Sequence, residues 1–441
     1  MSIDQFLLSA DTTDLNYPDV RPTLDLNFAR TKTLDPRITF TRASGGSYVG
    51  ADGLIKYAGV NEARFDHDPA TSESLGLLIE EARTNLVTDS IILSNMPDKT
   101  NVTVKDNVIT SPTGVQNVSK IIETNINGSH SLSRLNISTT SNVSYTISGY
   151  FKRAERKNVI LVFRNNTFWG TPSRPGAIFN LESGTVLSTS GVLNSISIIY
   201  AGNGWYRCSI TATRDNNGII TSGIVVGISN DAGAEFYQGI EGHGLYAWGL
   251  QFEAGSFVTS FIPTIGSTRT RAADNVTITG KNFSEWYRQD EGTIYSNIRI
   301  IGIQKTRFDR LWAITNSNLN QDGLGVFIGG PQGGYDITAT INGITQYPEL
   351  NSTLNSNNIE ITPLNSPRLK SSFGFTVGNS NISYNGKFPN NFGVTLQKIL
   401  IADRLFIGSP QRFQGTSCMT ISRLTYYPKR LPNEQLQSLT R

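Results

Sequence analysis

A chain of 441 residues is too long for one ordinary core and long enough for two or three domains. With 38% hydrophobic and 17% charged residues it falls outside the disordered class, and a net charge of +3, spread without any long Lys/Arg run, argues against a nucleic-acid tail or a basic membrane-surface helix. No apolar stretch is long enough to span a bilayer, and the start, MSIDQFLLSADTTDLNYPD, lacks the basic and apolar regions of a signal peptide, so folding in the cytoplasm of the producing cell is expected.

Residues 1–20 are polar and without sustained period, an arm or docking segment. Leu24–Phe28 alternates as a strand, and short runs follow at Ile38–Phe40, Tyr48-Val49, Leu54-Ile55 and Arg64-Phe65. Gly45-Gly46 and Asp52-Gly53 punctuate them, Asp-Gly being a strong turn signal. The section closes with the apolar run Leu75–Ile79 and a polar turn, Glu80–Asn85.

From residue 91 onward strand follows strand: Val143–Lys152, Val159–Arg164, Trp205–Thr213, Ile219–Ser229 and Leu245–Glu253. In Tyr145–Lys152 apolar and polar positions alternate, which predicts one face on a core and one in water. Asn203-Gly204 and Asn216-Asn217-Gly218 supply turns. Residues 263–275 are polar and Thr/Arg-rich and read as a linker. A second strand-rich unit then runs through Gly292–Ile301, Arg310–Thr315, Gly323–Gly329, Asp336–Ile341, Ser371–Val377, Ile382–Tyr384 and Met419–Tyr427. The stretch Leu431–Leu439 is a helix signal, with Asn433 as cap, Glu434 in the first turn, and Leu436 and Leu439 on one face. Many short strands without a long helical period mean an all-β chain built as sandwich or barrel. The expected division is 1–90 arm and docking module, 91–265 jelly roll, 266–282 linker and 283–441 second sandwich. The two cysteines, Cys208 and Cys418, sit in strand-like runs and are expected as buried free thiols.

Three stretches resemble phrases of phage structural proteins. LDLNFARTKTLDPRITFTRAS, DGLIKYAGVNEARFDHDP and GLLIEEARTNL, within residues 24–86, resemble a recurrent module of phage tail, fibre and capsid-decoration proteins, especially from phages of marine bacteria and cyanobacteria. NGWYRCSITAT and LYAWGLQFEAGSFVTSFIPTIGSTRTRAADNVTITG, within 203–280, resemble the end of a carbohydrate-binding-module-like jelly roll. EGTIYSNIRI, SFGFTVGNSNISYNGK and ISRLTYYPKRLPNEQLQSLT, within 291–441, resemble concanavalin-A-like, laminin-G-like sandwiches, with Asn385-Gly386 as a hairpin turn and Leu431–Leu439 as the closing helix. The resemblance implies an all-β chain of tandem β-sandwich (jelly-roll) domains preceded by an irregular N-terminal docking segment, and a component of a phage virion: a tail fibre, baseplate, neck or capsid decoration. It would dock to other virion proteins through its N-terminal region, assemble as a homotrimer and display sandwiches toward host-surface glycans, without binding nucleic acid or inserting into a membrane.

Residues suited to catalysis are sparse. Of three histidines, His67 lies in Phe65-Asp66-His67-Asp68-Pro69. In an extended chain its two Asp neighbours point to the opposite face, so a solvated turn histidine is expected rather than a metal ligand. His130 reads as exposed, and His243 as structural within a Gly-rich turn. G-x-S-x-G, H-E-x-x-H and C-x-x-C do not occur, and Gly329–Gly334 lacks the Lys-Ser/Thr of a phosphate loop. Glu80, Glu81, Glu241 and Glu253 are expected as surface or turn carboxylates rather than a glycosidase pair. Trp169, in Asn165–Pro172, is the candidate carbohydrate-binding residue; packing at a sheet edge or subunit interface is its competing role. Trp205, Trp248 and Trp312 read as core, and Trp286-Tyr287 as a bridge between domains. Asp215-Asn216-Asn217 and Asn230-Asp231 could offer oxygen ligands, but form no compact Ca²⁺ loop, so no cofactor or metal is assigned, and structural Ca²⁺ has no motif behind it. The expected function is a structural, non-enzymatic virion component; a receptor-binding lectin at a fibre tip and a polysaccharide depolymerase are the alternatives.

Overall fold

Strand Ser144–Arg153 crosses the middle of a six-stranded antiparallel sheet, between Tyr206–Thr213 and Gly244–Ala254. The computed structural model describes residues 18–164, 174–215, 220–302, 309–316, 323–328, 338–341, 344–346, 368–388, 401–408 and 418–441. Ser195–Tyr200 and, at the far edge, Ser119–Glu123 and Val102–Lys105 complete this sheet. A second six-stranded sheet faces it, ordered Thr185–Ser190, Gly176–Asn180, Asn158–Arg164, Ile220–Ser229, His130–Thr139, Asp98–Thr100. Between them lies a core that includes Ile147, Phe151, Leu161, Phe163, Phe179, Cys208, Val226 and Phe252.

The second sandwich also has two sheets. One orders Asn379–Tyr384, Arg368–Thr376, Glu291–Gly302, Cys418–Tyr427, Ser74–Ile79 and Phe65–His67, with Leu24–Leu26 also paired to Cys418–Tyr427. The other orders Thr39–Thr41, Asn275–Thr279, Arg404–Ile407, Asp309–Thr315, Gly323–Ile328, Thr338–Ile341 and Ile344–Gln346. The core joins Leu24, Phe28, Phe40, Leu77 and Ile79 to Ile294, Trp312, Phe373, Ile421 and Tyr426. The chain is therefore all-β and sandwich-built, and of the short early strands Leu24–Leu26, Thr39–Thr41, Phe65–His67 and Ser74–Ile79 are members of the second sandwich. The stretch read as a linker holds two strands: Arg269–Arg271, paired to Arg83–Asn85, and Asn275–Thr279, inside the sheet. Backbone pairing of this kind is set by distant chain segments and leaves no local signature.

Two glycines mark tight crossings. Gly76 has φ 92, and a Cβ there would lie 2.1 Å from the Ile421 carbonyl oxygen. Gly249 has φ 66 at the register shift opposite Ser148 and Tyr150, where a Cβ would press on the Tyr150 ring at 3.0 Å. Asn385-Gly386 forms the expected turn, with φ 43 and 74, the left-handed pair of a type I′ turn, closed by Tyr384 and Lys387.

Three expectations change. Tyr145–Phe151 is buried on both faces, because Thr259–Phe261 and the N-terminal hairpin cover the side expected in water; Tyr150 packs on Trp248 and Phe261. The final helix runs Asn433–Thr440 with Pro432 at its cap position, and the Asn433 side chain instead accepts from Arg430 Nη2 at 2.6 Å. Trp286-Tyr287 packs inside the second core, on Phe283 and Tyr426, rather than between domains. Trp205 and Trp248 share a buried cluster beneath the first hairpin, Trp312 is buried, and both thiols are buried in different sandwiches. No helix among the described residues is long and apolar enough to cross a membrane.

Candidate functional site

The apolar strand Ser74–Ile79 runs without a turn residue into Glu80 and Glu81, which carries both carboxylates into the interior. A buried carboxylate requires close cations. Arg64 Nη1 donates to Glu80 Oε2 at 2.6 Å, and its Nη2 donates to Asp274 Oδ2 at 2.5 Å. Arg42 Nη1 reaches the other Asp274 oxygen at 3.0 Å, and Arg271 Nη1 lies 3.2 Å from Glu80 Oε2. Ser260 adds two bonds to Glu80, from its N–H at 2.7 Å and its hydroxyl at 2.6 Å. Burial pushes the Glu80 carboxyl up, but Arg271, Arg64 and Ser260 outweigh it and hold it at about 2. The Arg64 guanidinium is likewise penalised by burial and held charged by Asp274 and Glu80. Three cations and two anions are thus sealed where the first hairpin, the jelly roll and the second sandwich meet.

Beside this cluster lies a cavity of about 190 Å³. Strand Phe65–His67 gives it Asp66 and His67, the jelly roll gives Tyr150 and Arg207, and the second sandwich gives Arg299 and Thr420. Asp66 Oδ1 accepts from the Val49 N–H at 2.7 Å. Burial raises the Asp66 carboxyl to about 6, and nearby Glu80 adds to the rise. Arg207 donates to the Thr259 carbonyl at 2.7 Å and stacks over Tyr150 at 5.1 Å. Glu80 also lines this space. Two carboxylates with proton affinities pushed apart are the pattern that acid–base chemistry uses. Glu80 is committed to its arginines and Ser260; Asp66 retains acceptor capacity.

The sequence candidates fall as follows. His67 is not a solvated turn residue: it is 3% exposed, with Nδ1 3.1 Å from the Val49 carbonyl oxygen. Its strand pairs with Ser74–Ile79 and is roofed by the hairpin Gly46–Val49/Ile55–Ala58. His130 is buried, not exposed, between Asn101 and Tyr237 carbonyls. His243 is half-buried in the turn before Gly244–Ala254. Glu80, Glu81 and Glu253 are buried, contrary to the surface expectation; Glu253 accepts from Thr259 and Gln251. Glu81 pairs with Arg83, and Glu241 is exposed. Trp169 lies outside the described residues. Asp215 pairs with Arg214, and the Asn230 side chain caps its own turn through the Ala232 and Ala234 N–H groups. Among the described residues no group of three or more His, Cys, Asp or Glu could hold a metal ion. Sequence reasoning missed Arg42, Arg64, Arg271 and Asp274 as one unit. The available signal was the charge pair following an unbroken apolar run, which calls for buried partners.

No protein-family model and no curated protein matches the chain. Among solved structures it is similar to Trypanosoma rangeli sialidase, at 12% identity and a TM-score of 0.30, covering 66% of this chain and 52% of that one. The same sialidase in complex with sialic acid matches at 10% identity and a TM-score of 0.30, covering 74% and 60%. A mutant of it displaying trans-sialidase activity matches at 10% identity and a TM-score of 0.30, covering 92% of both. This chain spans about half the length of the first of these. A TM-score of 0.30 carries no argument for a shared fold or activity. The expectation of a non-enzymatic protein is nonetheless corrected. One of the carboxylates taken for surface groups, Glu80, lies in a cavity wall beside Asp66.

Proposed function

We propose that the chain is a structural component of a phage virion, docking to the particle through its N-terminal region and displaying its two sandwiches outward as a homotrimer. The observation that carries this reading is where the phage-like phrases meet. Arg42, Arg64 and Glu80, from residues 24–86, and Arg271 and Asp274, from residues 245–280, close on one another in a single sealed charge cluster. Buried charges are costly and tolerate few geometries, so they suit a joint that must hold one orientation. A projecting particle component needs such a joint, because a flexible one would lose the placement of whatever it displays. Mass spectrometry of purified particles is the test: its peptides are expected at stoichiometric abundance, and their absence from the particle overturns the proposal. Light scattering of the purified chain checks the trimer.

A further inference from the structure

We propose that the cavity beside the charge cluster binds one neutral, hydroxyl-rich ring of monosaccharide or cyclitol size. Three side chains lining it carry buried polar atoms without a hydrogen-bond partner among the described residues: His67 Nε2, Arg207 Nε and Thr420 Oγ1. They come from three separate parts of the chain, and His67 and Thr420 are only 3% and 1% exposed. Buried polar atoms are ordinarily paired, so three orphans around one space ask for a molecule that fills it.

The kind of molecule follows from charge and proton bookkeeping. Arg207 and Arg299 line the cavity together with Asp66 and Asp68, and Arg299 lies 3.9 Å from Asp68. Glu80, the third carboxylate of the lining, is already paired with Arg64 and Arg271, so the remaining two arginines and two carboxylates balance and favour neither an anion nor a cation. The Val49 carbonyl can only accept, so His67 Nδ1 carries a proton, and in that tautomer Nε2 is an acceptor. Asp66 is a second acceptor, while Arg207 Nε and Thr420 Oγ1 donate. Groups that both donate and accept around a ring are hydroxyls. Leu75, Leu78, Val258 and Phe261 provide apolar wall, which suits the C–H faces of such a ring and would be poorly served by water alone. The volume, about 190 Å³, suits one ring.

This site is independent of the virion proposal and of Trp169. Saturation-transfer NMR and calorimetry on the full chain with glucose, galactose, mannose and myo-inositol, and with glucuronate and glucosamine as charged controls, test it. At least one neutral ring is expected to bind saturably, with the charged rings weaker. Thr420→Val should weaken binding about tenfold, the loss of roughly one hydrogen bond. Because this hydroxyl has no partner among the described residues, the same change should leave Tm unchanged or raise it. Arg207→Lys, which cannot place a donor at Nε, is the second variant, with a similar loss expected. Absence of binding by every neutral ring overturns the inference. So does binding indifferent to both variants, or a crystal structure at saturating ring concentration with only waters in the cavity.

Discussion

The first sandwich draws every strand of its two sheets from one continuous stretch, Asp98–Thr100 through Gly244–Ala254. The second takes Leu24–Leu26, Thr39–Thr41, Phe65–His67 and Ser74–Ile79 from before that stretch and the rest, from Asn275–Thr279 onward, from after it. Both bury comparable cores, but only the first draws the strands of its sheets from one segment. The second must close a long loop before its sheets are complete, an ordering cost repaid only by assembled long-range contacts. Similar sandwiches can therefore differ sharply in how far they depend on distant sequence.

The largest expected effect tests that dependence directly. Residues 84–265 expressed alone should melt cooperatively, whereas residues 283–441 alone should show no cooperative transition by calorimetry. Independent folding of the latter would break the comparison. Next is Asp274→Ala, which strands Arg42 and Arg64 in the interior; breaking a buried pair in this way costs about 3–5 kcal/mol, read from urea unfolding of the full chain. A smaller change of opposite sign is expected for Asp66→Asn. Asp66 is raised to about 6 from 3.8, so the folded state holds its proton more tightly and stability falls as pH rises between those values. Asp66→Asn should stabilise by about 1–3 kcal/mol at pH 8 and have little effect below pH 4, in a pH series of urea midpoints. Glu80 gives the opposite dependence: held at about 2 instead of 4.5, it stabilises above pH 4.5 and loses that contribution as pH falls toward 2. The smallest effect belongs to the half-exposed pair between Asp25 and Arg423, which ties the first strand to a late one. A double-mutant cycle should return a coupling of about 0.2–1 kcal/mol.

Strand positions were legible because each is bounded by turn residues and carries its own period. Val159–Arg164, Ile219–Ser229 and Met419–Tyr427 agree with the observed strands to within one residue at either end. Partnership was not legible. Leu24–Leu26 lies beside residues 424–426, and nothing in either segment encodes the other. The same blindness hid the site. His67 looks solvated when its neighbours are read alone, and only the hairpin folded over its strand buries it. Tyr145–Phe151 alternates as if half wet, yet Ser148 and Thr146 face covered protein. The carboxylates of Glu80 and Asp274, 194 residues apart, become one feature only in three dimensions.

The backbone N–H of Asp274 donates to the Glu80 carbonyl at 2.9 Å, so the chain departs for the jelly roll and returns from it at adjoining points. In modular terms the jelly roll is a guest, seated in a host whose own strands continue on either side of the doorway. A guest held at two neighbouring points can be exchanged for another of different shape with little disturbance to its host. The host–guest boundary is also where Arg64, Glu80 and Asp274 are locked together, so any replacement would inherit a fixed bearing along with its seat.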